Sequence, residues 1–341
     1  EAQRKTSERK DMSARFCGTG SCVPDYVMDN DGVAELVETS DSWIRERTGI
    51  ARRHIAVKET TVSMANEAAK RALDNAGVLP EELDLILMST ISSDVIIPCG
   101  ACEVQKAIGA DKAVCFDLNG ACTGFVLAYN TALAYIESGI YQTVLIVGSE
   151  SLSRLTNWKD RGTCILFGDG AGAAVIKKDE RASYIPAAHS DGTRGEALLC
   201  YSKREENGLP FQKNDEIGGK HLNSEDYLMQ MDGQGVFRFA IKQVPEVIQE
   251  VLEKNEVKPE EIDWYILHQA NRRILEAVAK RMGEPVEKFP MNMEEYGNTS
   301  SASIPILLDE MNRDGRLKRG QKIVLAGFGA GLTWGATIIE W

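Results

Sequence analysis

A cysteine flanked by glycines is the first residue in this sequence that could do chemistry. Cys122 lies in residues 115–129 (CFDLNGACTGFVLAY), where an apolar, strand-like piece leads into a turn and a helical pattern begins directly afterwards. Such a turn exposes the sulfur, and the positive end of the helix favours the thiolate. Gly120 and Gly124 permit a tight turn of the nucleophile-elbow type. The segment indicates a nucleophilic thiol; a small buried cysteine in a crossover is the alternative interpretation.

One histidine has a position suited to a partner of that thiol. His268 follows the apolar run of residues 264–267 (WYIL), and a new helical pattern starts behind it. The carboxyl ends of strands are where α/β proteins place groups that bind ligands. His54, His189 and His221 lie in polar surroundings and are not predicted to be catalytic.

Two glycine-rich segments supply further polar groups. Asn298 stands in residues 296–305 (YGNTSSASIP), where a Gly turn enters a helix of small residues. Its amide could bind a substrate, or it could merely cap the helix. Residues 323–339 (IVLAGFGAGLTWGATII) only superficially suggest a dinucleotide-binding motif, because no helix follows the glycines. As a strand–loop–strand, this segment instead offers backbone N–H groups to an oxyanion.

Helical and strand patterns alternate around these segments. A Ser-capped helix is predicted for residues 63–77, strands for residues 83–90 and 143–148, and a helix for residues 126–138. This alternation predicts an α/β or layered αβα fold. Residues 189–230 interrupt the alternation with polar, Gly-rich sequence, and they are interpreted as a lid over the substrate or as a surface excursion without a role.

An internal repeat organises the chain. Residues 73–88 (LDNAGVLPEELDLILM) align with residues 252–267 (LEKNEVKPEEIDWYIL) at an offset of 179, and the Pro, both Glu and the Asp coincide. The same offset carries the strand ending at Gly148 onto the strand ending at Gly327. The sequence therefore predicts a duplication, with a break near residue 180.

Composition argues against several classes of function. The chain has 341 residues and a net charge of −12, which argues against a nucleic-acid partner. No apolar run approaches the roughly 18 residues of a membrane span. Residues 1–12 are polar and lack the apolar core of a signal peptide, so we interpret them as a disordered lead-in or a remnant of cloning.

The eight cysteines are too sparse for a disulfide scaffold. The single CxxC, Cys99 to Cys102, has no second pair that would complete a zinc site, and it is predicted to be two buried thiols near a helix start. No metal site is expected. The cysteine usage predicts a reduced, cytoplasmic protein.

In combination, these segments resemble the thiolase superfamily and, most closely, the β-ketoacyl-acyl-carrier-protein synthase III family. The resemblance extends over residues 13–341. It implies a five-layered αβαβα fold of two duplicated halves, residues 13–180 with the cysteine and residues 181–341 with the histidine and asparagine. The motifs that carry it are residues 39–50 (TSDSWIRERTGI), 119–125 (NGACTGF), 161–172 (RGTCILFGDGAG), 268–271 (HQAN), 297–300 (GNTS) and 327–335 (GFGAGLTWG).

The resemblance implies a decarboxylative Claisen condensation that initiates type II fatty-acid synthesis. Cys122 would take an acyl group from a short acyl-CoA. Malonyl-acyl-carrier protein would then lose carbon dioxide, with His268 and Asn298 hydrogen-bonded to its thioester carbonyl. The carbanion would attack the acyl-cysteine, whose oxyanion would lie on the N–H groups of Cys122 and Ala330. The family usually has Gly where this chain has Ala330, a change that keeps the backbone donor. A homodimer without metal or redox cofactor is implied.

The same resemblance assigns residues that bind the substrates. Trp43 and Arg161 would sandwich the adenine of coenzyme A, while Arg47, Gly233 and Asn271 would contact its phosphates or pantetheine arm. Ile97 would reach across a dimer interface into the acyl pocket, where an aliphatic side chain could admit longer or branched primers. The other residues implied for the acyl pocket are Phe167, Met229 and Phe328.

A basic patch is implied for the acidic carrier protein, and its members could equally be solvated helix faces. Its candidates are Arg238, Arg272, Arg273, Lys280 and Arg281.

Other condensing enzymes of the same fold, such as polyketide, alkylquinolone or hydroxymethylglutaryl-CoA synthases, are the closest alternatives. A cysteine with one histidine and one asparagine disfavours two further groups: elongating synthases, which use two histidines, and thiolases, which add a second catalytic cysteine. The alternative from a different class is a non-catalytic homologue that binds acyl groups or carrier protein. The intact trio argues against it.

Overall fold

Two β-sheets, each covered by helices, form the framework of the protein. The computed structural model describes residues 13–180, 183–202, 216–217 and 220–341, so the lead-in predicted for residues 1–12 lies outside the described residues. The strands are β1 (Ser13–Cys22), β2 (Val27–Asp29), β3 (Arg52–His54), β4 (Leu85–Ser89), β5 (Val114–Leu118), β6 (Thr143–Ser151), β7 (Asp169–Asp179), β8 (Ala187–Ser190), β9 (Leu198–Leu199), β10 (Glu216–Ile217), β11 (Lys220–His221), β12 (Gln230–Met231), β13 (Trp264–Leu267), β14 (Lys322–Gly329) and β15 (Thr333–Glu340). The helices are α1 (Asn30–Ala34), α2 (Asp41–Thr48), α3 (Thr61–Ala76), α4 (Gly100–Ile108), α5 (Gly124–Glu137), α6 (Arg161–Cys164), α7 (Gly233–Lys254), α8 (Arg272–Met282), α9 (Met293–Tyr296) and α10 (Ser303–Arg313).

The ends of α3 show how local sequence sets a helix. The Thr60 hydroxyl accepts a hydrogen bond from the Ser63 N–H at 3.0 Å, and the Ser63 hydroxyl accepts one from the Thr60 N–H at 2.8 Å. This reciprocal capping box makes Thr60 the cap, so the helix begins two residues before the predicted Ser63. Gly77 ends the helix with a φ of 62°, a conformation that favours glycine.

The two sheets have the same strand order. The first runs β1-β7-β6-β4-β5 and the second runs β8-β15-β14-β13, so among the described strands of these sheets β5 has no counterpart. β4 and β6 are parallel neighbours in the first sheet, as β13 and β14 are in the second. The other neighbouring strands that correspond between the two sheets are antiparallel. β4 and β13, β6 and β14, and α5 and α10 start 179 residues apart. The repeat in the sequence is therefore a repeat of topology, whereas the boundary near residue 180 remains a prediction.

The helices and sheets stack in five layers. α5 and α10 lie between the sheets, where Phe125 and Leu307 pack with Leu87 of the first sheet and Leu325 of the second. α3 and α4 cover the outer face of the first sheet, and α7 and α8 cover the outer face of the second. Since β4 and β6 are covered on both faces, all of their residues are buried, which explains their continuous apolar runs. The predicted αβαβα fold is confirmed.

Candidate active site

A short turn between β5 and α5 presents Cys122. The turn is a single 3₁₀ turn, Ala121–Thr123, in which Ala121 has a φ of 43°. Gly124 is required here because a Cβ on it would lie 1.8 Å from the Ser89 hydroxyl oxygen. This close packing explains Gly124, one of the two glycines that flank the cysteine. The helix α5 begins at Gly124.

A second turn of the same kind carries Asn298 towards the first. Asn298 donates its backbone N–H to Leu166 C=O at 2.8 Å, and its side-chain Oδ1 accepts from the Ser300 N–H at 2.9 Å. Ser300 has a φ of 49°, and its hydroxyl lies 3.4 Å from Cys122 Sγ. α10 begins only at Ser303, so Asn298 does not cap that helix.

His268 follows β13 and is almost completely buried, with 1% of its surface exposed. Its Nδ1 lies 2.7 Å from the Ser303 hydroxyl, which also accepts the Gln269 N–H at 3.2 Å. The hydroxyl keeps a second lone pair and its one hydrogen, so the contact fits either tautomer of the ring. In the tautomer with its hydrogen on Nε2, the Ser303 hydroxyl donates to Nδ1, and Nε2–H can donate to a substrate. The Phe328 ring meets the imidazole edge to face at a centroid distance of 5.3 Å.

Burial decides the charge of both groups. Removal from water raises the pKa of the Cys122 thiol to about 12, although the contact with the Ser300 hydroxyl acts in the opposite direction. The same cause lowers the pKa of His268 to about 3. A helix N-terminus contributes about 0.3–1 kcal/mol, less than one pKa unit, and so cannot offset the burial. Burial therefore favours the neutral thiol and the neutral imidazole near pH 7, whereas the position of Cys122 before a helix favours the thiolate, so the charge of Cys122 stays a prediction.

Two cavities meet at Cys122. The first, of about 510 Å³, is lined by His268 and Asn298 at one end and by residues of α2, α6, α7 and α8 at the other. The second, of about 610 Å³, also reaches Cys122 and has mainly apolar walls. Cys122, Phe167 and Leu198 line both cavities. This arrangement lets one sulfur face two substrate groups.

All five residues expected to contact coenzyme A line the first cavity. The guanidinium carbons of Arg47 and Arg161 lie 4.6 and 4.8 Å from the Trp43 ring centroid. Asn271 caps α8 through its Oδ1 and donates its Nδ2 hydrogen to Arg47 C=O at 3.0 Å. Gly233 is the first residue of α7.

The four residues expected in the acyl pocket do not lie together. Phe167 and Met229 are buried in the wall of the second cavity. Phe328 lines the first cavity, next to His268, because its strand ends there. Ile97 lines neither cavity in the part of the chain that the structure describes, and it is 87% exposed. Phe328 and Ile97 therefore do not line the second cavity of a single chain, and their roles in the acyl pocket, that of Ile97 across a dimer interface, stay predictions.

The expected basic patch lies on α7 and α8. Two of its members are paired, because Arg272 lies 3.5 Å from Glu294 and Arg281 lies 3.3 Å from Glu246. Arg238, Arg273 and Lys280 are exposed. The net positive charge of the patch is smaller than its residue types suggest.

Residues 189–230 contribute to the second cavity as far as they are described. Leu198, Leu199, Cys200 and Tyr227 lie in its wall. The central part of the expected lid, 203–215, lies outside the described residues.

Further cysteines and serines bear on the predictions made from the sequence. Cys99 and Cys102 stand at the start of α4 with their sulfurs 3.4 Å apart, partly exposed rather than buried. Ser300 and Ser303, which contact Cys122 and His268, were not identified from the sequence, although both lie in the segment that was singled out for Asn298.

Within the described ranges, no group of three or more His, Cys, Asp or Glu is arranged to hold a metal ion. None of the described helices has the length and apolar character needed to span a membrane.

Comparison with known proteins gives a consistent result. The family model described as 3-oxoacyl-[acyl-carrier-protein (ACP)] synthase III matches residues 116–192, and the model of its C-terminal part matches residues 252–341. The β-ketoacyl-[acyl-carrier-protein] synthase III of Clostridium acetobutylicum is 45% identical over 330 residues, covering 96% of this chain and 99% of the relative. That of Clostridium novyi is 46% identical over 324 residues, covering 95% and 97%.

Two solved structures extend the comparison to the fold. The 3-oxoacyl-[acyl-carrier-protein] synthase III of Aquifex aeolicus superposes with a TM-score of 0.87 at 40% identity, covering 96% of this chain and 100% of the other. The priming β-ketosynthase of the R1128 polyketide pathway gives a TM-score of 0.88 at 32% identity, covering 99% and 98%.

Alkylation of Cys122 should depend steeply on pH, because only the thiolate reacts and burial raises the pKa of the thiol to about 12. Between pH 6 and 9 the rate with iodoacetamide should rise about tenfold per pH unit without a plateau. Mass spectrometry of the Cys122 peptide after timed quenching measures this rate, with Cys122→Ala as the control for other cysteines. A plateau below pH 8 would show that the thiolate is the resting form.

Proposed function

The chain belongs to the 3-oxoacyl-[acyl-carrier-protein] synthase III family, and on that premise we propose that Cys122 carries the acyl group between two half-reactions. The function is the decarboxylative condensation of a short acyl-CoA with malonyl-acyl-carrier protein. The product is a 3-oxoacyl-acyl-carrier protein, which initiates type II fatty-acid synthesis. The observation that carries the proposal is that Cys122 lines both cavities.

In the first half-reaction the sulfur of Cys122 attacks the thioester carbonyl of the acyl-CoA. A sulfur–carbon bond forms, the bond to coenzyme A breaks, and the thiol proton leaves with the coenzyme A thiolate. The oxyanion is stabilised by the N–H groups of Cys122 and Ala330, both of which lie at the second cavity. The acyl chain then extends into that cavity, between Phe167 and Met229.

In the second half-reaction malonyl-acyl-carrier protein occupies the first cavity. His268 Nε2–H and the Asn298 amide donate hydrogen bonds to the thioester carbonyl as carbon dioxide leaves and the bonding electrons become an enolate. The enolate carbon attacks the acyl-Cys122 carbonyl, and the cysteine sulfur leaves and takes up a proton. The electron pair is supplied by the departing carboxylate, so we infer that neither a metal nor a redox cofactor takes part.

Coenzyme A and the carrier protein's pantetheine arm use the same end of the first cavity. Trp43 offers the adenine an aromatic face, and Arg161 must move from its contact with that face to enclose the base. Arg47, Gly233 and Asn271 line the path of the phosphates and the pantetheine arm. The carrier protein itself docks on Arg238, Arg273 and Lys280, with Arg272 and Arg281 joining when their acidic partners are displaced.

A homodimer is supported by the exposed edge of the first sheet. β5 is the outer strand of that sheet, and an unpaired edge invites pairing with another chain. Val95, Ile96 and Ile97 in the loop before α4 are 41%, 94% and 87% exposed, which suits an interface. In such a dimer Ile97 reaches the partner's acyl cavity. Light scattering that gives the mass of a single chain at micromolar concentration would contradict this arrangement.

The cytoplasm is the inferred site of action. All eight cysteines are free, as expected of a protein in a reducing compartment.

Variants of the trio should separate the two half-reactions. Cys122→Ala should take up no label from radioactive acyl-CoA and should not condense, because it lacks the nucleophile. His268→Ala and Asn298→Ala should still be labelled, while condensation falls by about 10²–10³-fold because each removes a donor to the enolate. Scintillation counting of the isolated protein and product chromatography measure the two steps, and circular dichroism checks folding. Loss of labelling in the His268 and Asn298 variants would refute these roles.

The primer should be larger than acetyl, because the second cavity has about 610 Å³ and no aromatic side chain at position 97 closes it. With malonyl-acyl-carrier protein as extender, isobutyryl- and hexanoyl-CoA should give kcat/KM at least equal to that of acetyl-CoA. A strict acetyl preference would contradict this.

Malonyl-CoA in place of malonyl-acyl-carrier protein tests the second candidate, a priming synthase of a polyketide pathway, which the similarity to the R1128 enzyme favours.

A further inference from the structure

The offset between the halves places an altered copy of the active site inside the protein. Ser301 lies 179 residues after Cys122, and it occupies the same position in the second 3₁₀ turn, Ser300–Ala302. His268 corresponds in the same way to Ser89, at the end of β4. The Ser301 hydroxyl lies 3.0 Å from the Ser89 carbonyl oxygen.

The two copies differ most at one position of their middle strands. Gly329 in β14 corresponds to Glu150 in β6. Gly329 keeps the space next to Cys122 open, since a Cβ on it would lie 2.8 Å from Cys122 Cβ and 3.2 Å from its sulfur. In the other copy Glu150, which is completely buried, fills the equivalent space and its Oε1 lies 2.9 Å from Ser301 Oγ.

The second carboxyl oxygen of Glu150 holds the segment that follows β4. Glu150 Oε2 accepts the Ile91 N–H at 3.0 Å and the hydroxyls of Ser92 at 2.6 Å and Thr90 at 3.3 Å. Ile91 lies in the wall of the second cavity. One buried carboxyl group thus connects the active-site turn of the second half to the cavity wall of the first.

The two contacts of the Ser301 hydroxyl favour a protonated Glu150. The Ser301 oxygen is close to two acceptors, Ser89 C=O and Glu150 Oε1, but a serine hydroxyl has a single hydrogen. With Glu150 ionised, the single serine hydrogen is shared between the two acceptors, whereas a proton on Glu150 Oε1 that is donated to Ser301 gives each contact a hydrogen of its own. Burial acts in the same direction and raises the pKa of the carboxyl group to about 7.

We propose that Glu150, carrying this proton, is a positioning residue for the condensation. It fixes Ser301 and, through it, the preceding Ser300. The Ser300 hydroxyl touches Cys122, and the Ser300 N–H orients the amide of Asn298. Ionisation of Glu150 removes the donor to Ser301 and places a negative charge near the Cys122 thiol, which raises the pKa of that thiol. The inference rests on the proposed function.

The test compares Glu150→Gln, Glu150→Leu and the matched control Ser149→Ala. Ser149 precedes Glu150 on β6 and loses a buried hydrogen bond to Thr61 C=O, 2.7 Å long, on the opposite face of the sheet. At pH 6 the glutamine variant, whose amide can make the same bonds, should keep kcat within about threefold. The leucine variant should lose at least about tenfold in kcat with little change in KM, and Ser149→Ala should keep its kcat.

The pH dependence adds a measurement that needs only the glutamine variant. The ratio of its kcat to that of the wild type should rise between pH 6 and 8.5, because only the wild-type side chain ionises. A constant ratio overturns the proposal, as does a leucine variant with wild-type kcat or a glutamine variant as impaired as the leucine one. If the wild type does not condense, the proposed function fails, and alkylation rates of Cys122 in the same variants then decide the role of Glu150.

Discussion

The contact between two strained turns, one from each half, is the constraint on which the site depends. Ala121 and Ser300 carry a side chain at a φ of 43° and 49°, in the left-handed region that costs about 1–2 kcal/mol per residue. The packing of α5 and α10 between the two sheets holds both turns in place. As a result the Cys122 sulfur from the first half lies 3.4 Å from the Ser300 hydroxyl of the second. The thiol of Cys122 and the amide of Asn298 come from different halves, so this site requires both.

Burial then favours the neutral forms of Cys122 and His268. A site without charge on Cys122 or His268 has no resting ions to solvate, so its donors are reserved for charge that develops during a reaction. The Ser303 hydroxyl contacts His268 at Nδ1, and burial, which lowers the pKa of His268 to about 3, favours the neutral ring. A neutral donor suits an enolate that must remain reactive, since a charged imidazolium would protonate it. The disadvantage is that burial raises the pKa of the Cys122 thiol, so that the thiol is harder to deprotonate.

Much of this arrangement could be predicted from the sequence, because its signals are local. The glycines around Cys122, the strand end before His268 and the repeat at an offset of 179 are properties of short segments. Contacts between distant segments could not be predicted. Ser303 and Ser300 owe their roles to the packing of α10, and the charge of Cys122 depends on how deeply its turn is buried. Phe328 lines the first cavity, which the sequence did not indicate, since a strand pattern does not show which of two cavities its end faces.

The duplication also explains how two similar halves acquired different roles. Both halves retain a 3₁₀ turn at the same position, and a polar residue stands at the equivalent place in each, Ser89 as the last residue of β4 and His268 directly after β13. An open space is needed beside a nucleophile, and Gly329 supplies it for Cys122, whereas Glu150 occupies the equivalent space beside Ser301. A glycine at position 150 would leave the donors of Ile91 and Ser92 without their buried acceptor, which is costly. The side chain that closes one copy of the site therefore stabilises the walls of the other.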